Sequence, residues 1–72
     1  MNFNDRIRAL REDNDITQES IAKIFNTTQR RISYLEKGTT QPTLKDIEQY
    51  CYYFNLSADY ILGFINNPRP LH

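Results

Sequence analysis

Thr17-Gln18-Glu19-Ser20-Ile21-Ala22-Lys23-Ile24-Phe25-Asn26-Thr27-Thr28-Gln29-Arg30-Arg31-Ile32-Ser33-Tyr34-Leu35-Glu36-Lys37-Gly38 is the stretch on which the fold turns. Thr17 and Thr28 are helix-capping residues, and each precedes apolar positions at helical spacing. Ile21, Ala22 and Phe25 form the inner side of one short helix, with Glu19 in its positively polarised first turn. Ile32 and Leu35 mark the inner side of the next. Only Asn26 and Thr27 separate Phe25 from the second cap, and Asn tolerates the left-handed backbone that a tight corner requires. Gly38 supplies the C-terminal cap of the second helix. The spacing therefore predicts two short helices joined by a turn of three or four residues.

The same punctuation extends outward in both directions. Asn2 or Asn4 can cap a first helix carrying Phe3, Ile7 and Leu10 inward, and Asp13-Asn14-Asp15 ends it. Beyond Pro42, Thr43 caps a fourth helix with Asp46 placed for a capping box and Leu44, Ile47, Cys51 and Phe54 as its inner stripe. Asn55-Leu56-Ser57 forms another turn and cap, leading into a short fifth helix that runs through Asp59, Tyr60, Ile61 and Leu62 to Gly63. Asn66-Asn67-Pro68-Arg69-Pro70 reads as irregular. The reading is all-α, with one five-helix domain over residues 1–65 and an irregular tail over 66–72.

Size and composition remove whole classes of function. A chain of 72 residues holds one small domain, which buries only about 60% of its unfolded surface. Cys51 is the only cysteine and His72 the only histidine, so neither an internal disulfide nor a Cys/His metal site can clamp it. Ser20, Ser33 and Ser57 have no histidine in the folded core to activate them, and no Gly-rich phosphate loop appears. An enzyme is not expected, nor is a cofactor or metal. Cys51 reads as a small core residue and His72 as a frayed end. No basic start with an apolar run opens the chain, and no stretch approaches the ~20 apolar residues of a membrane span. A lone thiol fits a reducing compartment, so a cytoplasmic location without membrane contact is expected.

Charge is balanced in total and segregated along the chain. The formal net charge is 0, yet residues 23–45 carry Lys23, Arg30, Arg31, Lys37 and Lys45 against Glu36 alone, a local +4. Segments 1–22 and 46–72 each carry −2. Screening confines electrostatic reach to about 10 Å at 0.1 M salt, so the local band matters more than the total. Taking ~100° per residue, Ile32 and Leu35 fall within about 60° of each other, and Arg30, Ser33, Tyr34 and Lys37 lie on the opposite side. Gln29 stands at the tip, Arg31 on one flank, and Glu36 close to the buried edge. Two helices joined by a tight turn, the second presenting Gln, Arg, Ser, Tyr and Lys outward, suit entry into a DNA major groove. An amide matches adenine N7 and N6, and a guanidinium forks onto guanine O6 and N7.

Ile16-Thr17-Gln18-Glu19-Ser20-Ile21-Ala22, Thr28-Gln29-Arg30-Arg31-Ile32-Ser33-Tyr34-Leu35-Glu36-Lys37-Gly38 and Pro42 together resemble the helix-turn-helix of the Cro and phage-repressor family (XRE-like) of transcriptional regulators. Leu56-Ser57-Ala58-Asp59-Tyr60-Ile61-Leu62-Gly63 resembles that family's closing helix, and the likeness spans about residues 3 to 63. One departure is Asn26, where the family usually has Gly. The resemblance implies a lambda-repressor-like five-helix fold and a sequence-specific double-stranded DNA-binding regulator, most simply a repressor. It implies base contacts from Gln29, Arg30 and Tyr34 with Ser33 beside them. Phosphate contacts would come from Gln18, Lys37, Thr39 and Thr40, to which Thr28 and Arg31 are added. It also implies an internal ion pair between Arg11 and Glu36.

Tyr50, Tyr52 and Tyr53 beside Cys51 and Phe54 exceed what the inner face of one helix requires, and Phe64 and Ile65 add apolar surface beyond the fifth helix. Tyrosine is enriched at interfaces. Tyr53, Tyr60, Phe64 and Ile65 are therefore candidates for a homodimer contact, and a homodimer would select an inverted repeat. An alternative keeps the fold but makes the tyrosine-rich C-terminal region the docking face for a protein partner, as in an antitoxin or a transcription adaptor.

Overall fold

The computed structural model describes residues 1–72, with five helices and no strand: α1 (Phe3–Asp13), α2 (Gln18–Ile24), α3 (Gln29–Lys37), α4 (Leu44–Phe54) and α5 (Ala58–Ile61). Each begins at a side chain that satisfies an otherwise orphaned amide of its first turn. Asn2, Thr17, Thr28, Thr43 and Ser57 accept from the backbone N–H of Asp5, Ser20, Arg31, Asp46 and Tyr60, respectively. At Thr43 the box is complete, because the Asp46 carboxylate also accepts from the Thr43 amide at 2.8 Å.

Left-handed residues make the corners. Asp15, Asn26 and Asn55 have φ of 55°, 55° and 52°, and Gly38 ends α3 at 80°. Asn26 thus supplies the corner that glycine would otherwise provide, and the Thr27 N–H donates to the Ala22 carbonyl at 2.8 Å to close it. Gly63 is held at φ 86° with its α-carbon facing the Met1 carbonyl, where any side chain would collide.

The core gathers one side of every helix: Phe3 and Ile7 from α1, Ile21 and Ala22 from α2 with Phe25 just after it, Ile32 and Leu35 from α3, Tyr50 and Cys51 from α4, and Ile61 from α5. α3 packs chiefly on α1 and α2, while α4 packs on α5. Aromatic rings fill the junction. Tyr50 meets Phe25 edge-on at 4.8 Å between centroids and lies parallel to Phe54 at 6.3 Å.

One expectation needs correction. Leu44 is 72% exposed and does not belong to the inner stripe of α4. It shares that face but stands at the first helical position, one turn beyond the core, and Tyr50 takes its place among the buried residues. The ring of the exposed, terminal His72 lies 6.1 Å from that of Tyr52. The tail over 66–72 has no regular structure, as its prolines dictate, yet the Ser57 amide donates to the Arg69 carbonyl at 2.7 Å and the Leu71 amide to that of Asn55 at 3.3 Å. Leu71 packs against the core.

The hydroxyl of Tyr50 is buried with no protein group in hydrogen-bond reach. Burial also pushes its pKa up, with the Glu36 and Asp46 carboxylates adding to the effect. Tyr50 therefore contributes through its ring. Tyr50→Phe should leave the urea midpoint unchanged or raised, whereas Tyr50→Ala should cost about 3–5 kcal/mol through the cavity it opens. Equilibrium unfolding followed by circular dichroism distinguishes these outcomes.

Candidate nucleic-acid interface

α3 is placed by what it buries. Ile32 and Leu35 are almost completely enclosed, and Glu36 beside them is only 7% exposed. A carboxylate so deep needs charge and hydrogen bonds around it. Arg11 of α1 provides both: Nε donates to Glu36 Oε2 at 2.7 Å and Nη2 to Oε1 at 3.0 Å, a two-pronged pair. Arg11 Nη1 also donates to the Ile16 carbonyl at 2.9 Å, and Gln18 Nε2 donates to Glu36 Oε1 at 3.1 Å. One cluster thus joins α1, the loop after it, α2 and α3. The Glu36 hydrogen bond raises the Arg11 pKa above its ordinary value, outweighing the opposing effect of burial.

With its inner side fixed, α3 presents the rest outward. Gln29, Arg30, Tyr34 and Lys37 are exposed, and Ser33 is half-buried beside them. Arg30 and Tyr34 are one turn apart and engaged with each other: Arg30 Nε donates to the Tyr34 hydroxyl at 2.8 Å, with the guanidinium 5.3 Å from the ring centroid. The remaining guanidinium N–H groups stay available to a ligand.

Ion pairing sharpens the charge of this face. Within residues 23–45, Lys23 is matched by Glu19 at 3.4 Å and Arg31 by Asp46 at 2.6 Å, while Glu36 is consumed by Arg11. Arg30, Lys37 and Lys45 make no ion pair. The only acid of the band is internal, so no carboxylate of α3 offsets the outward cations.

The residues proposed for phosphate stand in several environments. Lys37 is exposed. Thr39 lies just past the α3 cap, where its amide and hydroxyl both donate to the Tyr34 carbonyl, at 3.0 and 3.2 Å, and Thr40 follows half-buried. Thr28 Oγ1 is occupied as the α3 cap. Gln18 is half-buried, its amide nitrogen directed at Glu36. Arg31 is half-buried against Asp46, whose carboxyl lies below its ordinary pKa: burial alone would raise it, but the Thr43 amide and Arg31 more than compensate.

The four residues considered for a homodimer contact differ in their surroundings. Tyr53 is 47% exposed and meets Phe25 and Phe54 edge-on. Tyr60 and Ile65 are half-buried and share a neighbour, Arg6: its guanidinium lies 3.9 Å from the Tyr60 ring centroid, and its Nη2 donates to the Ile65 carbonyl at 3.3 Å. Phe64 is 75% exposed. Arg6, only 5% exposed and paired with no carboxylate, escaped the sequence reading. Its position three residues after Phe3 and four before Leu10 put it on the inner side of α1, which was the available signal.

Comparison with known proteins agrees with this geometry. A helix-turn-helix family model matches residues 7–61. The chain belongs to the Cro/C1-type helix-turn-helix family, a class of DNA-binding transcription regulators rather than enzymes. Among solved structures it is similar to a transcriptional regulator from Listeria innocua, with a TM-score of 0.81 and 25% sequence identity over 90% of this chain. The match spans 61% of that protein. No curated protein matches the chain in sequence. No helix is long and apolar enough to cross a membrane.

Removing one side of the Arg11–Glu36 pair strands a buried charge. Arg11→Ala or Glu36→Ala should each lower stability by about 3–5 kcal/mol, whereas replacing both with apolar residues of similar volume should cost much less. Urea unfolding of the three variants beside the parent measures this.

Proposed function

We propose that the chain is a repressor that reads double-stranded DNA by laying the outer side of α3 in the major groove. The observation that carries this reading is the exposure of Gln29, Arg30 and Tyr34 on a helix whose only acid is turned inward and neutralised. Gln29, at the helix start, has the donor and acceptor that adenine presents for, and Arg30 the fork that guanine accepts. Ser33 and Tyr34 extend the contact by one turn. Gln18, Thr28, Lys37, Thr39 and Thr40 are assigned to the flanking phosphates, which fix register without reading sequence. Repression follows by occupancy, since a bound domain of this kind blocks a promoter without chemistry of its own.

A homodimer through Tyr53, Tyr60, Phe64 and Ile65 would place two α3 helices about 34 Å apart and select an inverted repeat with half-sites one helical turn apart. A 75% exposed Phe64 beyond α5 supports a second copy at this place. The second reading makes the tyrosine-rich C-terminal region the docking face for a protein partner, as in an antitoxin or adaptor. A cleft of about 510 Å³ lined by Ile24, Phe25, Lys45, Glu48, Gln49, Tyr52 and Tyr53 favours that alternative.

Selection of bound duplexes from a randomised pool, with sedimentation equilibrium of the complex, tests the leading reading. The expected result is a palindromic consensus bound by two copies; a pool that never enriches would overturn it. On the selected duplex, Arg30→Ala should lose about 1–3 kcal/mol of discrimination at one base pair. Lys37→Ala should weaken all sequences alike and reduce the slope of log K against log salt by roughly 1. Fluorescence anisotropy across a salt series reads both.

A further inference from the structure

Arg31 lies next to the base-reading residues in sequence and differs from them in its surroundings. It sits in the first turn of α3, where its Nη2 donates to Asp46 Oδ2 at 2.6 Å, and Asp46 sits in the first turn of α4. The same carboxylate oxygen accepts from the Thr43 amide at 2.8 Å, and Thr43 Oγ1 accepts from the Asp46 amide at 3.2 Å. A single carboxylate therefore caps α4 and ties that helix start back to α3. The tie matters because α3 rests chiefly on α1 and α2 and α4 on α5, with little direct packing between α3 and α4.

The segment between them carries two of the residues assigned to phosphate. It is anchored at one end by Thr39, whose amide and hydroxyl both bind the Tyr34 carbonyl, and at the other by the Thr43–Asp46 box. Between these anchors Thr40, Gln41 and Pro42 make no hydrogen bond. Beyond the Thr39 anchor no hydrogen bond ties the segment to α3, and the Arg31–Asp46 bridge is the hydrogen-bonded link from α3 to its far end.

We propose that Arg31 is a positioning residue: its bridge to Asp46 holds the Gly38–Pro42 segment and the start of α4 at a fixed place beside α3, and Arg31 supports DNA binding by that placement instead of by touching phosphate. This rests on the reading of α3 as the DNA-facing helix. A guanidinium already matched by a half-buried carboxylate offers little net charge to a phosphate, and a phosphate contact would have to compete with Asp46 for it.

The two roles of Arg31 separate in a double-mutant cycle. Arg31→Ala, Asp46→Asn and the double variant are compared with the parent by anisotropy on a duplex selected by the parent, across a sodium chloride series. Urea unfolding confirms that each is folded at the assay temperature, and Asp46→Ser, which keeps an oxygen for the Thr43 amide, replaces Asp46→Asn if that variant does not fold. Placement predicts that each single change weakens binding by about tenfold, that the double variant is no weaker than Arg31→Ala, and that the salt slope stays at the parent value. In the DNA-free protein the amide resonances of Thr40 and Gln41 should move in both single variants. A slope reduced by roughly 1 in Arg31→Ala, with Asp46→Asn binding as tightly as the parent or tighter, would make Arg31 a phosphate contact and overturn the proposal. Additive losses, or unmoved Thr40 and Gln41 resonances, overturn it as well. A parent that binds no duplex from the pool removes the DNA-facing reading of α3 and this role with it, an outcome distinct from the others.

Discussion

The buried Arg11–Glu36 pair is the constraint on which the rest of the molecule depends. A carboxylate in the third helix is nearly closed off from water, and a guanidinium from the first helix grips both of its oxygens there. Glu36 adjoins Leu35 in the chain, so holding its carboxylate fixes the rotation of α3 about its own axis as well as its distance from α1. A hydrophobic seam of Ile32 and Leu35 alone would tolerate rolling. Burying a matched pair contributes little net stability, and its value here is orientation. The Ile16 carbonyl accepts from Arg11 and Gln18 donates to Glu36, which brings the loop before α2 and the start of α2 into the same arrangement.

The same pair decides the electrostatics of the outer surface. A chain with zero formal charge has no general attraction for a polyanion, and attraction must come from where charges remain uncompensated. Internalising Glu36 takes the one acid of the cationic band away from solvent, and the matched ends of Lys23 and Arg31 leave Arg30, Lys37 and Lys45 as its unmatched cations. Packing and surface charge are thus linked through one residue: the interaction that orients α3 also removes negative charge from its exposed side. The mutual engagement of Arg30 and Tyr34 adds a degree of order to long side chains that would otherwise lose more rotamer freedom on binding.

Most of the fold was legible because its signals are local. Five caps, three left-handed polar corners and Gly38 are each written in a few adjacent residues, and the helix boundaries follow from them. The outward set on α3 was legible from periodicity for the same reason. What escaped depends on contacts between distant parts of the chain. Leu44 has the right spacing for the α4 stripe, but at the first helical position its side chain stays in solvent. Arg6 is buried because Tyr60 and the Ile65 carbonyl, more than fifty residues away, give its guanidinium a ring and an acceptor. The Arg31–Asp46 bridge joins two helices across fifteen positions, and nothing local marks Asp46 as the partner of Arg31. The pinned tail likewise rests on pairing with residues 55 and 57 that its prolines do not announce.

The account is tested most directly by following backbone amide resonances while a duplex selected from a random pool is added to the protein. The largest changes should fall on Gln29, Arg30, Ser33 and Tyr34, with a second, smaller set at Gln18 and Lys37 to Thr40. Changes confined to the Ile24–Tyr53 cleft, with α3 unmoved, would contradict it.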